Sequence, residues 1–190
     1  MESLLVSTGV VALGEMGDKT QLLALMLAAR FKRPLPIILG ILAATLANHA
    51  LAGAFGAWLA GQAGPVTVRW VIGLAFIAMA AWVLVPDKAD AGEIATRSHY
   101  GVFVTTLVAF FLAEIGDKTQ IATVALAARF DALTAVVLGT TLGMMFANVP
   151  AVFLGDAVSR RIPLRAMRGA AAVLFATIGV LTLLNVGDLF

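Results

Sequence analysis

The sequence predicts an all-α integral membrane protein, with six transmembrane helices arranged as two inverted three-helix repeats. Three observations carry this. Of 190 residues, 61% are hydrophobic and 13% charged, against about 45–50% and about 25% in soluble domains. Mean hydropathy is +0.99, and the apolar residues gather into six stretches near the roughly 20 that a bilayer span needs. Finally, a segment of the first half recurs in the second. Glu15 to Phe31 reads EMGDKTQLLALMLAARF, and ninety-nine positions later Glu114 to Phe130 reads EIGDKTQIATVALAARF, identical at eleven of seventeen positions.

The first span is expected from Leu4 to Ala29, ended by Arg30, Lys32, Arg33 and Pro34. The N-terminus has no basic n-region and no A-x-A site, so it reads as this span and not as a cleaved signal. The second runs from Leu35 to Leu59, before Gly61, Gly64 and Pro65 break the chain. The third runs from Val68 to Val85. The polar segment 87–99 then divides a first repeat, 1–86, from a second, 100–190. Spans four to six are expected at Tyr100 to Ala128, Leu133 to Val158 and Gly169 to Val186. Leu39-Gly40 and Arg69 match Leu138-Gly139 and Arg168 at the motif's own offset, and Ala47-Asn48 matches Ala147-Asn148 one residue further on.

Basic residues set the orientation. Loops after spans one, three and five hold nine of them (Arg30, Lys32, Arg33, Lys88, Arg97, Arg160, Arg161, Arg165 and Arg168), and loops after spans two and four hold Arg69 and Arg129. The positive-inside rule puts the linker in the cytoplasm and both termini outside, as for a bacterial inner-membrane protein. Three spans per repeat is odd, so the halves enter from opposite sides, a recurrent transporter plan. The net charge of +2 sits in short loops and speaks against a nucleic-acid partner. With no cysteine, disulfides, thiolate ligands and cysteine nucleophiles are excluded.

Within the motifs, Glu15 and Asp18, like Glu114 and Asp117, are three apart, a spacing that puts both carboxylates on one helix face. Eleven residues separate Leu4 from Glu15, about 16 Å of helix, so the carboxylates lie near mid-membrane. Gly17 and Gly116 allow close approach or a local distortion. If the two motif helices cross, four carboxylates meet two lysines, Lys19 and Lys118, for a charge of −2 when all are ionised. One divalent cation or two protons balance that charge. Thr20, Gln21, Thr119 and Gln120 are further ligand or supporting candidates, as are Asn48 and Asn148. Such oxygen donors suit Mg²⁺, Ca²⁺ and Mn²⁺. His49 has no repeat counterpart and reads as packing; Asp156 and Asp188 read as solvated or capping groups; Gly139-x-x-x-Gly143 reads as helix packing.

Two Glu-x-Gly-Asp-Lys-Thr motifs in spans one and four of a six-span chain resemble the Gdt/MneA-type manganese exporter family. The likeness covers essentially the whole chain, Ala147-Asn148-Val149-Pro150 included. It implies a cation/proton exchanger, not an enzyme, with Glu15, Asp18, Glu114 and Asp117 serving the metal and Mn²⁺ preferred over Ca²⁺. No bound cofactor beyond the transported ion is expected. The partners are the ion, protons and lipid, and a homodimer is one expected assembly. A Ca²⁺/proton antiporter, a passive divalent-cation channel, an intramembrane hydrolase and a structural subunit remain the rival readings.

Overall fold

The computed structural model describes residues 1–85, 101–154 and 164–186, which are helical apart from short connections. In chain order the helices are α1 (Glu2–Glu15), α2 (Lys19–Phe31), α3 (Pro34–Gln62), α4 (Pro65–Trp82), α5 (Val102–Glu114), α6 (Lys118–Arg129), α7 (Leu133–Leu154) and α8 (Leu164–Leu183). The central linker, Asp156 and Asp188 lie outside the described residues.

Among the described residues four helices, α3, α4, α7 and α8, are long and apolar enough to cross a membrane, and α5 is a shorter apolar helix. The sequence expectation holds for them within a few residues. Prolines start two: Pro34 and Pro65 stand in the first turn of α3 and α4, where the missing N–H costs nothing. The expected first and fourth spans differ. Each is interrupted at its motif, giving α1 and α2, and α5 and α6. The shared helix face expected for Glu15 and Asp18, and for Glu114 and Asp117, therefore does not exist. A continuous apolar pattern conceals such a break, because both flanking segments are apolar.

Hydrophobic burial does not drive helix association inside lipid, so close backbone approach must. Gly139 and Gly143 provide it on α7: a Cβ there would stand 2.5 Å from the Leu4 carbonyl oxygen and 2.6 Å from that of Thr8 on α1. Gly40, the repeat mate of Gly139, seats α3 on α5, where a Cβ would stand 2.7 Å from Thr106 Cβ. α4 and α8 form a third pair, with Phe76 and Phe175 at 6.2 Å between ring centroids. One apolar cluster joins Val10, Val68, Ile72, Phe76, Ala125, Leu126 and Phe175; another joins Leu27, Ile37, Ile41, Phe110 and Ala151. Large apolar side chains such as Phe146, Phe153 and Val173 face outward, as lipid permits. Trp58, Trp70 and Trp82 are exposed near helix ends, where tryptophans of membrane proteins meet the interface.

Both motif repeats end alike. Arg30 lies over the ring of Phe31 at 5.2 Å and Arg129 over that of Phe130 at 4.9 Å. This cation–π contact accounts for the repeated Arg-Phe pair.

Candidate metal centre

Each motif folds as a break between two half-helices. Gly17 has φ +83° and Gly116 φ +74°, a left-handed conformation that costs a residue with a Cβ roughly 1–2 kcal/mol. The turn is closed by the Asp18 amide donating to the Glu15 carbonyl at 3.0 Å, and by Asp117 to Glu114 at 3.1 Å. The glycine amides leave helical register and donate instead to side chains: Gly17 to Gln21 Oε1 at 3.1 Å, Gly116 to Gln120 Oε1 at 2.8 Å. Thr20 donates its hydroxyl to Glu15 Oε2 at 2.7 Å, and Thr119 to Glu114 Oε2 at 3.2 Å. The glutamate, glycine, threonine and glutamine of each motif thus act within their own turn, which leaves the aspartate and lysine side chains.

Those two work across the halves. Asp18 and Asp117 stand at the N-caps of α2 and α6, yet neither side chain caps its helix. Lys118 Nζ lies 2.6 Å from Asp18 Oδ1, and Lys19 Nζ lies 3.0 Å from Asp117 Oδ1. The pairs are unequal in burial: the Lys118 side chain is 3% exposed, that of Lys19 25%. A lysine inside a membrane needs such a partner.

The glutamates have no cation partner of their own among the described residues. Glu15, Glu114 and Asp117 each place a carboxylate oxygen within 4.8 Å of the others, and all three residues are buried. Glu15 Oε1, Glu114 Oε1 and Asp117 Oδ2 accept no hydrogen bond among the described residues. Buried acceptors are normally satisfied, and an unsatisfied one asks for an ion or water. Like charges crowded together out of water require a cation or protons between them. The half-helix ends add to the field, since α2 and α6 begin at the breaks and α1 and α5 end there.

The remaining candidates fall into place unevenly. Asn48 Nδ2 donates to the Phe111 carbonyl at 3.1 Å, and Asn148 Nδ2 to that of Met144 at 3.1 Å. Both Oδ1 atoms are buried without a partner among the described residues. Gln21 Nε2 donates to the Ala147 carbonyl at 2.9 Å, in the turn before Pro150, whose ring disturbs the helical bonding there. His49 is fully buried, as packing predicts, with neither nitrogen hydrogen-bonded among the described residues. One residue escapes the sequence reading. Arg168, counted there as a loop charge, donates Nη2 to the Gly17 carbonyl at 3.1 Å. Its match with Arg69 in the other repeat is the available signal.

Comparison with known proteins identifies the family of the chain. The family described as Divalent cation/proton antiporter GDT1 matches residues 3–91 and 102–188. A Vibrio cholerae protein named as a candidate manganese exporter is 50% identical over 184 residues, covering 96% of this chain and 90% of its own length. A GDT1-like protein of Synechocystis is 28% identical over 191 residues, covering 91% and 92%. GDT1-like protein 3 of Oryza sativa is 26% identical over 200 residues, covering 92% and 71%. No solved structure matches the chain significantly. An apolar helical chain with two interrupted, carboxylate-bearing helices, matched along nearly its full length, belongs to the GDT1 family of divalent cation/proton antiporters.

Proposed function

We propose that this antiporter exports Mn²⁺ in exchange for protons, at a site made by Glu15, Asp18, Glu114 and Asp117. The observation that carries the reading is the meeting of Glu15, Glu114 and Asp117 within 4.8 Å, with an oxygen on each that lacks a partner among the described residues. The crossed lysine pairs balance Asp18 and Asp117, so the exchangeable charge rests on the two glutamates. Their joint charge of −2 matches one divalent cation or two protons, and either load leaves the buried site neutral. All the donors are oxygens, which favours a hard cation such as Mn²⁺ or Ca²⁺. The 50% identical relative's name favours Mn²⁺.

In this reading α1 with α2, and α5 with α6, each form one interrupted crossing. With α3, α4, α7 and α8 they make six spans in two oppositely oriented repeats, 1–86 and 100–190. The basic residues favour a cytoplasmic linker, external termini and the inner membrane of a bacterium. The carboxylates take up metal facing the cytoplasm, the halves reorient, and outside protons replace the metal and return with the empty site. Thr20 and Thr119 orient the glutamates, Gln21 and Gln120 hold the turns open, and Asn48 and Asn148 supply nearby oxygens.

Purified protein in vesicles tests this. Mn²⁺ on one side is expected to drive protons the other way, and Glu15→Gln or Asp117→Asn to abolish the movement. Wild-type exchange in both variants would remove the site assignment. Ca²⁺ in competition with Mn²⁺ decides between the cations, and flux without proton movement would indicate a channel.

A further inference from the structure

The two halves match in sequence but not in the support given to their broken turns. Arg168 of α8 donates to the Gly17 carbonyl at 3.1 Å, fixing the peptide between Glu15 and Asp18. Arg69 of α4 occupies the same place in the first repeat, and the corresponding acceptor is the carbonyl of Gly116. That bond is not made among the described residues. Arg69 Nε is buried with no hydrogen-bond partner among them, and Gly116 is exposed while Gly17 is half-buried.

Helix packing differs in the same sense. The start of α4 lies on α6, and Val68 is buried there with Ala125 and Leu126. Among the described residues the start of α8 has no comparable contact with α2, and Met167, the mate of Val68, is only half-buried. α8 leans instead on α1. The α4–α8 pair therefore sits close to the second repeat's half-helix and apart from the first's, while Arg168 reaches across the gap. Exchanging the conformations of two inverted repeats generates the opposite form of a transporter. Applied here, it brings α8 onto α2, lifts α4 from α6, and moves the arginine bond from Gly17 to Gly116.

We propose that Arg168 and Arg69 are paired positioning residues that hold the two broken turns alternately, Arg168 on Gly17 in the form described here and Arg69 on Gly116 in the opposite form. The chemistry suits the task. A carbonyl freed by a helix break needs a donor inside the membrane, and a guanidinium keeps its charge and offers several N–H groups at any working pH. The inference rests on the proposed reading in two respects, that the repeats are inverted and that an opposite form exists.

The chain has no cysteine, so introduced pairs carry spin labels without background. Thr67→Cys with Ala128→Cys reports the α4–α6 separation, and its repeat mate, Ala166→Cys with Ala29→Cys, reports α8–α2. With both arginines present, the first distance is expected to be short and the second long. Arg168→Met is expected to shift the populations about tenfold toward the reverse, the effect of losing one charged hydrogen bond. Arg69→Met is expected to shift them the other way, leaving the form seen here. Arg168→Lys should move them in the same direction as Arg168→Met by less, and keeps the test readable if the methionine variant does not fold. Shifts in the same direction for Arg168 and Arg69 variants, or no shift in either, overturn the proposal. The distances do not depend on cation flux. Opposed shifts without Mn²⁺-driven proton movement break the functional reading alone, and flux without opposed shifts breaks this one alone.

Discussion

Lys118 and Asp18 lie 2.6 Å apart although one hundred residues separate them. This buried bond, and its weaker counterpart between Lys19 and Asp117 at 3.0 Å, make each half of the chain complete the other's charge balance. Removing one partner from a buried pair costs about 3–5 kcal/mol, and the cost falls where a partner keeps some of its water, as Lys19 does at 25% exposure. Lys118→Met is thus expected to lower the melting temperature in detergent clearly more than Lys19→Met. The double variant Asp18→Asn, Lys118→Met should recover some of the loss. Equal effects of the two lysines would contradict the difference in burial.

Thr20 and Thr119 donate to Glu15 and Glu114, and at the proposed site they would orient metal ligands, a role typically worth 10–100-fold in affinity. Thr20→Val is expected to weaken Mn²⁺ binding in that range, and Thr20→Ser to restore it. Thr119→Val should cost less, because its bond to Glu114 is 3.2 Å against 2.7 Å for Thr20 to Glu15. Titration calorimetry on purified protein reads both.

Metal itself should stabilise the fold. A ligand at a hundred times its Kd adds about 2.7 kcal/mol to a protein that binds it only when folded. Mn²⁺ is expected to raise the melting temperature of the wild type, and chelation to reverse the rise. Protons compete for the same carboxylates, so the Mn²⁺-induced rise should shrink as pH falls. Glu15→Gln should show no rise at any pH.

Backbone conformation and crowding can be separated at the glycines. Nothing lies within 4 Å of a Cβ built on Gly116, so Gly116→Ala meets only the cost of its positive φ, roughly 1–2 kcal/mol. Gly116→Asn, which tolerates that region, should cost less. At Gly139 the obstacle is the Leu4 carbonyl, and overpacking there should cost about 1–3 kcal/mol for Gly139→Ala. Gly9→Ala, in open space within α1, should leave the melting temperature unchanged or raise it.

The sequence exposes the duplicated motif because Glu, Asp and Lys are rare in apolar surroundings, and repetition removes coincidence. It points to Glu15, Asp18, Glu114 and Asp117 for the same reason, of which the structure gathers Glu15, Glu114 and Asp117 within 4.8 Å. It does not reveal that α1 stops at Glu15. Period and hydropathy are alike on both sides of the break, and Gly17 alone is compatible with a continuous membrane helix. The placement of Glu15 and Asp18 on one face follows only from assuming continuity. The crossed pairing of Lys118 with Asp18 is hidden because a contact between distant segments leaves no local pattern. Arg168 reads as a loop residue when the sixth span starts at Gly169, whereas α8 begins at Leu164.

Two crossed ion pairs at the breaks between half-helices also bear on the leverage of the proposed reorientation. Lys118–Asp18 and Lys19–Asp117 join the halves where the helices are broken, so in the proposed reorientation the centre would serve as a fulcrum, since sliding there separates a buried charge from its partner. α3, with 29 residues, extends roughly 20 Å to either side of its midpoint. A tilt of about 10° about the fulcrum then carries each end through about 4 Å on that half-length. Such a displacement is enough to lift a helix off its neighbour at a membrane face while the carboxylates at the centre keep their spacing.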